Sequence, residues 1–215
     1  MSFSGESYIH SQQKRALELS LLGSGALSIG GLAIVSAVAL KLSNPGEPLI
    51  IQTERGLIPG QTYQSPKFGN PDSDQVVHRF LAKTMLDEIP QLAEVASGKM
   101  TLFGPRADKP SHVEALFESL ADDELKTKWL EVKRKQKPGL ISSYSVYSHS
   151  NNVDGIPEYI REQLDRDIIS GAERRAILDI HDFHHASTRH DLSLLRNAFH
   201  MAKTNYRVLS ASLNS

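Results

Sequence analysis

Two acids stand side by side at Asp87 and Glu88, inside the stretch TMLDEIPQLAEVASGKMTLFGPR that runs from 84 to 106. Adjacent carboxylates repel, so a chain gains no stability from them unless a cation or a reaction uses the pair. A hard divalent ion such as Mg²⁺ takes one or two carboxylates together with substrate phosphate and water. A carboxylate can also act as an oxygen nucleophile. The plainer reading is a helix mouth, where acids complement the macrodipole. Pro90 suits a first helical turn, which places a helix start near Ile89 with both acids at its entrance.

The elements expected to position these acids follow from pattern and punctuation. SNPGEP over 43–48 is a break, and the LIIQT that follows is apolar and β-branched, a short strand. ERGLIPGQTYQSPKFGNPDSD reads as a turn-rich loop. From Asp74 the spacing of Val76, Val77, Phe80 and Leu81 gives one helical face. Residues 110–136 form one or two amphipathic helices with Val113, Leu116, Phe117 and Leu120 on one side, closed by Pro138-Gly139. LISSYSVYS is strand-like, residues 157–186 are helical, and the tail places Leu192, Leu195, Phe199 and Ala202 on one face. Arg196, Lys203 and Arg207 give that tail a basic side, suited to an anionic lipid surface or, equally, to a helix docked on the core.

The bulk numbers narrow the classes. The 215 residues suit one domain with an appendage; net charge is −1 and there is no cysteine. Disulfides, thiolate metal sites and cysteine nucleophiles are excluded, and nothing global points to nucleic acid. Residues 19–40 carry no charge, and a helix of that length reaches about 33 Å, enough to cross a hydrocarbon core. A signal peptide fits poorly because no small-x-small cleavage site follows Lys41. Basic residues flank the segment on both sides, Lys14 and Arg15 before it, Lys41 and Arg55 after it. A dip that enters and leaves by the cytoplasmic face satisfies both flanks, whereas a straight span leaves one basic flank outside. A span whose glycines pack against a partner helix is the alternative, and a bitopic anchor carrying an adaptor domain would show the same hydropathy.

In this order the pieces resemble the bacterial sugar transferase family, the monotopic polyprenol-phosphate phosphoglycosyl transferases, from about Lys14 to His185. That family opens with Lys-Arg and an acid three residues on, here Lys14, Arg15 and Glu18. Its Gln-x-x-Arg-x-Gly is matched by Gln52, Arg55 and Gly56, and its Lys-Phe by Lys67 and Phe68. The signature core is matched by Leu86, Asp87, Glu88, Ile89, Pro90, Gln91 and Leu92, then Gly98, Met100 and Thr101, then Gly104, Pro105 and Arg106. Pro110, Glu114, Lys137-Pro138-Gly139-Leu140 and the pair Asp167 and Asp179 complete the likeness.

The resemblance implies an α+β, mostly helical fold. A re-entrant helix-break-helix over 13–43 follows a tail over 1–12, a small cytoplasmic catalytic domain spans 44–187, and an interfacial amphipathic helix with its tail spans 188–215. It implies transfer of a sugar phosphate from a nucleotide-diphosphate sugar, a UDP-sugar, to polyprenol phosphate at the cytoplasmic face of the bacterial inner membrane. That reaction opens exopolysaccharide, O-antigen or glycoprotein glycan assembly. Asp87 would be the nucleophile that carries the phosphosugar, and Glu88 a metal ligand or proton manager, the two acids holding Mg²⁺ or Mn²⁺. Arg55, Lys67, Gln91, Arg106 and Lys137 would bind substrate, the arginines by gripping phosphate oxygens two at a time. Lys14, Arg15, Gly30 and Gly31 would anchor the membrane segment. Membrane lipids, other glycan-assembly enzymes or a second copy in a homodimer are the further partners implied; nucleic acid is not.

The chain departs from that pattern in several places. Gly30-Gly31 replaces the helix-breaking Ser-Pro, Ala82-Lys83-Thr84 replaces Arg-Lys-Thr, and Lys99 replaces an acid. Gly69-Asn70-Pro71 replaces Arg-Thr-Met. Where Pro-Gly-Ile-Thr-Gly-Trp-Ala-Gln-Val is usual, the chain reads Pro138-Gly139-Leu140-Ile141-Ser142-Ser143-Tyr144-Ser145-Val146. These changes leave two accounts, an enzyme with an unusual donor or acceptor, or a catalytically degenerate scaffold in a glycan-assembly complex. The attacking pair is the least useful thing to keep in a dead protein, which favours the enzyme. HDFHH offers His181, His184 and His185 as a helical metal half-site, short of a full ligand set. Ser145 and His149 lack a nucleophile-elbow context. Lys133, Arg134, Lys135 and Lys137 read as a solvated or membrane-facing basic run.

Overall fold

The structure, a computed structural model, describes residues 5–70, 75–147 and 170–213, and only the backbone of Lys83 and of 201–213. It is mostly helical α+β. The elements are α1 (Gly5–Ile9), α2 (Gln12–Ser43), β1 (Ile50–Ile58), β2 (Gln61–Phe68), α3 (Val76–Thr84), a 3₁₀ turn at Leu86–Glu88, α4 (Gln91–Ser97), β3 (Thr101–Phe103), α5 (Pro110–Ser119), α6 (Asp123–Arg134), β4 (Gly139–Ile141), α7 (Ser143–Tyr147), α8 (Gly171–His185) and α9 (Thr188–Leu213).

The apolar segment is one uninterrupted helix. Ser11 caps α2 by accepting from the Lys14 N–H, and the helix continues through Gly30 and Gly31 to Ser43. The break expected at that pair is absent. Two glycines cost a helix about 1 kcal/mol each, yet they keep the N–H that proline lacks, so the hydrogen-bond ladder survives. A Cβ at either glycine would meet open space, so neither is there for close packing within the described residues.

One face of α2 lies on the domain near each end, while the middle of the helix stands clear of it. Lys14, Glu18, Leu21, Leu22, Ala33, Ser36 and Leu40 recur at helical spacing on the inner side. The outer side shows Leu27, Ile34, Val35, Val38 and Leu42 to solvent, Leu27 with 93% of its surface exposed. Lys14 and Arg15, expected to anchor the segment at lipid, instead lock α2 to the protein. The buried Lys14 amine donates to the Phe103 carbonyl at 2.9 Å and to Asp191 at 3.0 Å. Arg15 donates to the carbonyls of Val95 and Ala96 at the end of α4. Glu18 accepts from the Leu102 N–H at 2.9 Å and from the Thr101 hydroxyl. A buried cation has to be paired, and here the partners are carbonyls and Asp191 rather than headgroups.

The expected loop after Thr53 is a β-hairpin. β1 and β2 pair antiparallel, with Arg55 opposite Tyr63 and Ile51 opposite Lys67. Pro59 and Gly60 form the turn, Gly60 at φ 74° where a side chain would be strained. Turn-forming and polar residues hid the alternation from composition. LISSYSVYS is likewise not one strand. Gly139–Ile141 pairs parallel to β3, and Ser143–Tyr147 is helical. The region 110–136 divides into two helices at Asp122, which caps α6 from its side chain. Of the helix expected over 157–186, only α8 lies within the described residues.

Among the described residues, three apolar clusters hold the domain. Val95, Met100, Leu102, Phe103 and Leu194 join α4, β3 and α9, with Leu17, Leu21 and Leu22 of α2 against them. Val113, Leu120, Trp129 and Ala176 join α5, α6 and α8. Leu40, Phe68 and Leu81 join α2, β2 and α3. Of the two settings expected for the tail, docking on the core holds for its first turns, where Asp191 and Leu194 of α9 are buried while Leu192 and Phe199 face outward. Lys203 and Arg207 fall where side chains are not described.

At Gly104 the chain passes so close to Gly139 that a Cβ on Gly139 would sit 2.5 Å from the Gly104 backbone. Gly139→Ala should therefore overpack a backbone contact, at a cost of about 1–3 kcal/mol. For a chain of this size that is a fall in melting temperature of roughly 2–12 °C, to be read by thermal denaturation.

Candidate active site

A 3₁₀ turn, a hairpin and a Gly-Pro turn bring their charged groups to a single cleft. The dyad sits on the 3₁₀ turn between α3 and α4. Met85, just before it, is held at φ 59°, the one non-glycine residue at positive φ among the described residues. That conformation costs about 1–3 kcal/mol and is retained only where the surroundings force it. It ends α3 sharply, so that Asp87 and Glu88 turn inward beneath α4, at whose mouth Pro90 stands as expected. The hairpin supplies its cleft-facing side by strand alternation: Tyr63, Ser65 and Lys67 on β2, with Arg55 across from Tyr63. The Gly104-Pro105 turn supplies Arg106, and Gln91, Met100, Gly139 and Leu140 complete the wall.

The Lys67 amine lies between the two acids, 2.8 Å from Asp87 Oδ2 and 3.0 Å from Glu88 Oε1. Arg106 grips Glu88 with both terminal nitrogens, Nη2 to Oε1 at 2.6 Å and Nη1 to Oε2 at 3.3 Å. Burial and charge then split the pair. Asp87 is 4% exposed; burial pushes its carboxyl above the usual range, and Lys67 offsets only part of that. Burial pushes Glu88 the same way, but Arg106 and Lys67 outweigh it and hold Glu88 below the usual range. Glu88 is the settled anion, and Asp87 the acid whose charge is costly. Asp87 Oδ1 accepts no hydrogen bond among the described residues. Arg55 has no hydrogen bond or ion pair among them either, which leaves its guanidinium to a ligand.

Arg106 is held from behind. The buried Arg175 of α8 donates to the Arg106 carbonyl at 2.8 Å, pairs with Asp108 and stacks over Tyr144 at 4.8 Å. Asp108 exchanges backbone hydrogen bonds of 2.9 and 3.1 Å with Gly56, the residue after Arg55. One buried guanidinium thus ties together the two backbone segments that carry Arg55 and Arg106. Asp179, one turn along α8, accepts from Trp129 at 2.9 Å and sits 2.9 Å from the Lys133 amine. Lys133 is fully buried, and burial pulls its amine below the usual lysine range against the pull of Asp179. The run expected as a solvated basic patch is divided: Lys133 is core, Lys135 pairs with Glu131 and Glu6, and Arg134 is exposed.

Of the expected site residues, Arg55, Lys67, Asp87, Glu88, Gln91 and Arg106 meet in this arrangement. Lys137 does not. It lies in a neighbouring cleft with Lys14, Arg15 and Glu18, its amine donating to the Gly98 carbonyl. Ser65, Tyr63 and Arg175 were missed; the first two were hidden by the unread hairpin, and Arg175 by a charge that gave no sign of being buried. Asp167 lies outside the described residues, as does His149. His181, His184 and His185 do not form one set, since His184 turns outward while His185 stacks on His181 at 4.1 Å.

The sequence profile of the bacterial sugar transferases matches residues 9–203, from α1 well into α9. The chain belongs to that family. Within it, the UDP-glucose:undecaprenyl-phosphate glucose-1-phosphate transferase of Escherichia coli K12 is 28% identical over 69% of this chain and 36% of its own length. The protein of the same name from Caulobacter vibrioides is 32% identical over 46% of this chain and 43% of its own. The bacterial sugar transferase described here thus spans less than half the length of either relative.

The split between the acids fixes a pH response. Glu88, lowered from its ordinary 4.5, contributes stability above that pH and loses it as pH falls through the folded value. Asp87, raised from 3.8, does the reverse: its ionised form costs stability at neutral pH, and the cost vanishes below 3.8. At pH 7.5, Asp87→Asn should melt at or above the parent. Glu88→Gln should lose about 3 kcal/mol by taking the carboxylate from Arg106 and leaving Lys67 with Asp87 alone, roughly 6–12 °C of melting temperature. Both differences should shrink toward pH 3.5 in a series of thermal melts.

Proposed function

We propose that this chain transfers a sugar phosphate from a nucleotide-diphosphate sugar, UDP-glucose or a close analogue, to a polyprenol phosphate at a membrane surface. The observation that carries the reading is the buried acid pair with Lys67 and Arg106 against it and an unengaged Arg55 across the cleft. Family membership and the names of both relatives support it.

In this reading Asp87 Oδ1 attacks the β-phosphorus of the donor while Lys67 holds Oδ2. The bond from that phosphorus to the bridging oxygen breaks, nucleoside monophosphate leaves with the electron pair, and the phosphosugar stays on the carboxylate as an acyl phosphate. An oxygen of the polyprenol phosphate then attacks the same phosphorus, the bond to Asp87 breaks, and the free carboxylate returns with a polyprenol-diphosphate sugar as product. Arg55 binds the diphosphate, Arg106 keeps Glu88 charged and oriented, and burial makes the Asp87 charge costly before attack. The donor set fits Mg²⁺, with Asp87 and Glu88 as its holders: Asp87 Oδ2 and Glu88 Oε1 already converge on one cation, the Lys67 amine. When bound, such an ion supplies charge to offset the diphosphate.

The α2 helix supports a one-sided membrane attachment, because both of its ends are seated on the same domain and so stay on one side of the lipid while its apolar middle is free to enter it. Tags on the two ends should both be protected from external protease in spheroplasts; digestion of one tag alone would mean a spanning helix.

Membrane-fraction protein given Mg²⁺, polyprenol phosphate and a panel of UDP-sugars should release UMP. Asp87→Asn should abolish release. Arg55→Ala should raise the donor KM roughly tenfold or more, the worth of one lost charged contact, and Arg106→Ala should act mainly on kcat. Intact mass of donor-treated protein should show the added phosphosugar on the parent and none on Asp87→Asn. No release with any donor, from protein that melts normally, would favour the scaffold.

A further inference from the structure

Away from the acid pair, where α7, α8 and α9 meet, a second cluster of ligand-type side chains is buried. His190 Nε2 lies 3.0 Å from Asp182 Oδ1, and His181 Nδ1 lies 3.7 Å from the same oxygen. One ligand atom from each of the three residues falls within 4.8 Å of the others. A divalent ion bound at about 2.0–2.1 Å in a tetrahedron separates its ligands by about 3.3–3.5 Å. Two of these contacts bracket that spacing, and the third closes by a side-chain adjustment of roughly 1 Å, within the reach of a histidine rotamer. The remaining Asp182 oxygen, Oδ2, accepts from the Ser143 N–H at 2.8 Å, and the Ser143 hydroxyl donates to Oδ1 itself. Such outer bonds orient a carboxylate ligand.

The cluster coincides with a departure from the family pattern. Ser143 stands where that pattern places tryptophan, and its hydroxyl meets the carboxylate that the two imidazoles also face. We infer that His181, Asp182 and His190 form a binding site for one divalent transition ion of the zinc class, joining α8 to α9. Two imidazoles and a carboxylate, with no thiolate anywhere in the chain, select zinc, cobalt or nickel over magnesium. The site is separate from the acid pair and does not depend on the proposed transfer reaction. Its role is to pin the first turn of α9, whose neighbour Asp191 takes the Lys14 amine of α2.

The test uses the full chain in detergent with a tag that carries no histidine, stripped with a chelator. Cobalt titration followed by visible absorption, and zinc competition with a chromophoric chelator, should give one equivalent per chain. Saturating zinc should raise the melting temperature. His181→Phe and His190→Gln should each weaken binding roughly tenfold or more; the glutamine keeps a donor toward Asp182, so the fold is retained. His184→Ala and His185→Ala should leave binding unchanged. Absence of stoichiometric binding would overturn the site. So would loss with His185→Ala but not with His190→Gln, because the ion would then belong to the helical pair His181 and His185.

Discussion

Two carboxylates cannot share a buried turn unless positive charge is brought to them, and much of this fold serves that requirement. Lys67 must reach in from a hairpin and Arg106 from a Gly-Pro turn. Neither segment is rigid on its own: a two-stranded hairpin is marginal in isolation. The bridge from Gly56 to Asp108 joins them, and Arg175 fixes that bridge from α8. Asp179 then lies one turn beyond Arg175 along the same helix, where it takes Trp129 and Lys133 of α6. The charge balance of two residues at 87 and 88 is thereby spread over β1, β2, α6 and α8.

The same logic governs the attachment of α2. Its Lys14, Arg15 and Glu18 do not face solvent; they saturate the carbonyls and amides of α4 and β3 and the carboxylate of Asp191. An apolar helix held only by dispersion would slide or roll, whereas directional bonds at its N-terminal end fix its rotation. Rotation decides which residues form the outer strip, so the polar lock at one end determines the apolar surface at the other.

The acid pair, the Gly-Pro-Arg turn and the apolar helix were legible in the sequence because each rests on local residue type and spacing. The hairpin was not, since Pro59, Gly60 and Pro66 read as loop while the pairing that makes them a turn and an edge is non-local. Lys133 misled for a related reason: a lysine in KRKQK gives no sign that Asp179, far along the chain, will neutralise it. Lys14 and Arg15 were assigned to lipid because flanking cations commonly are, and Asp191 is too distant in sequence to signal otherwise. The helix break failed because glycine lowers helix stability without removing a hydrogen-bond donor. The clustering of Arg55, Lys67, Gln91 and Arg106 around the acids followed from the family likeness, whereas the network behind them needed coordinates.

The seating of α2 has a geometric corollary. The 3₁₀ turn carrying the acids, α3 before it and α4 after it all rest on the inner side of that helix. Under the one-sided attachment proposed above, the height of the dyad relative to a lipid leaflet is therefore set by the protein's own thickness. Bilayers of different thickness would leave that height unaltered, because a float takes its draught from the surface it rests on and not from what lies beneath.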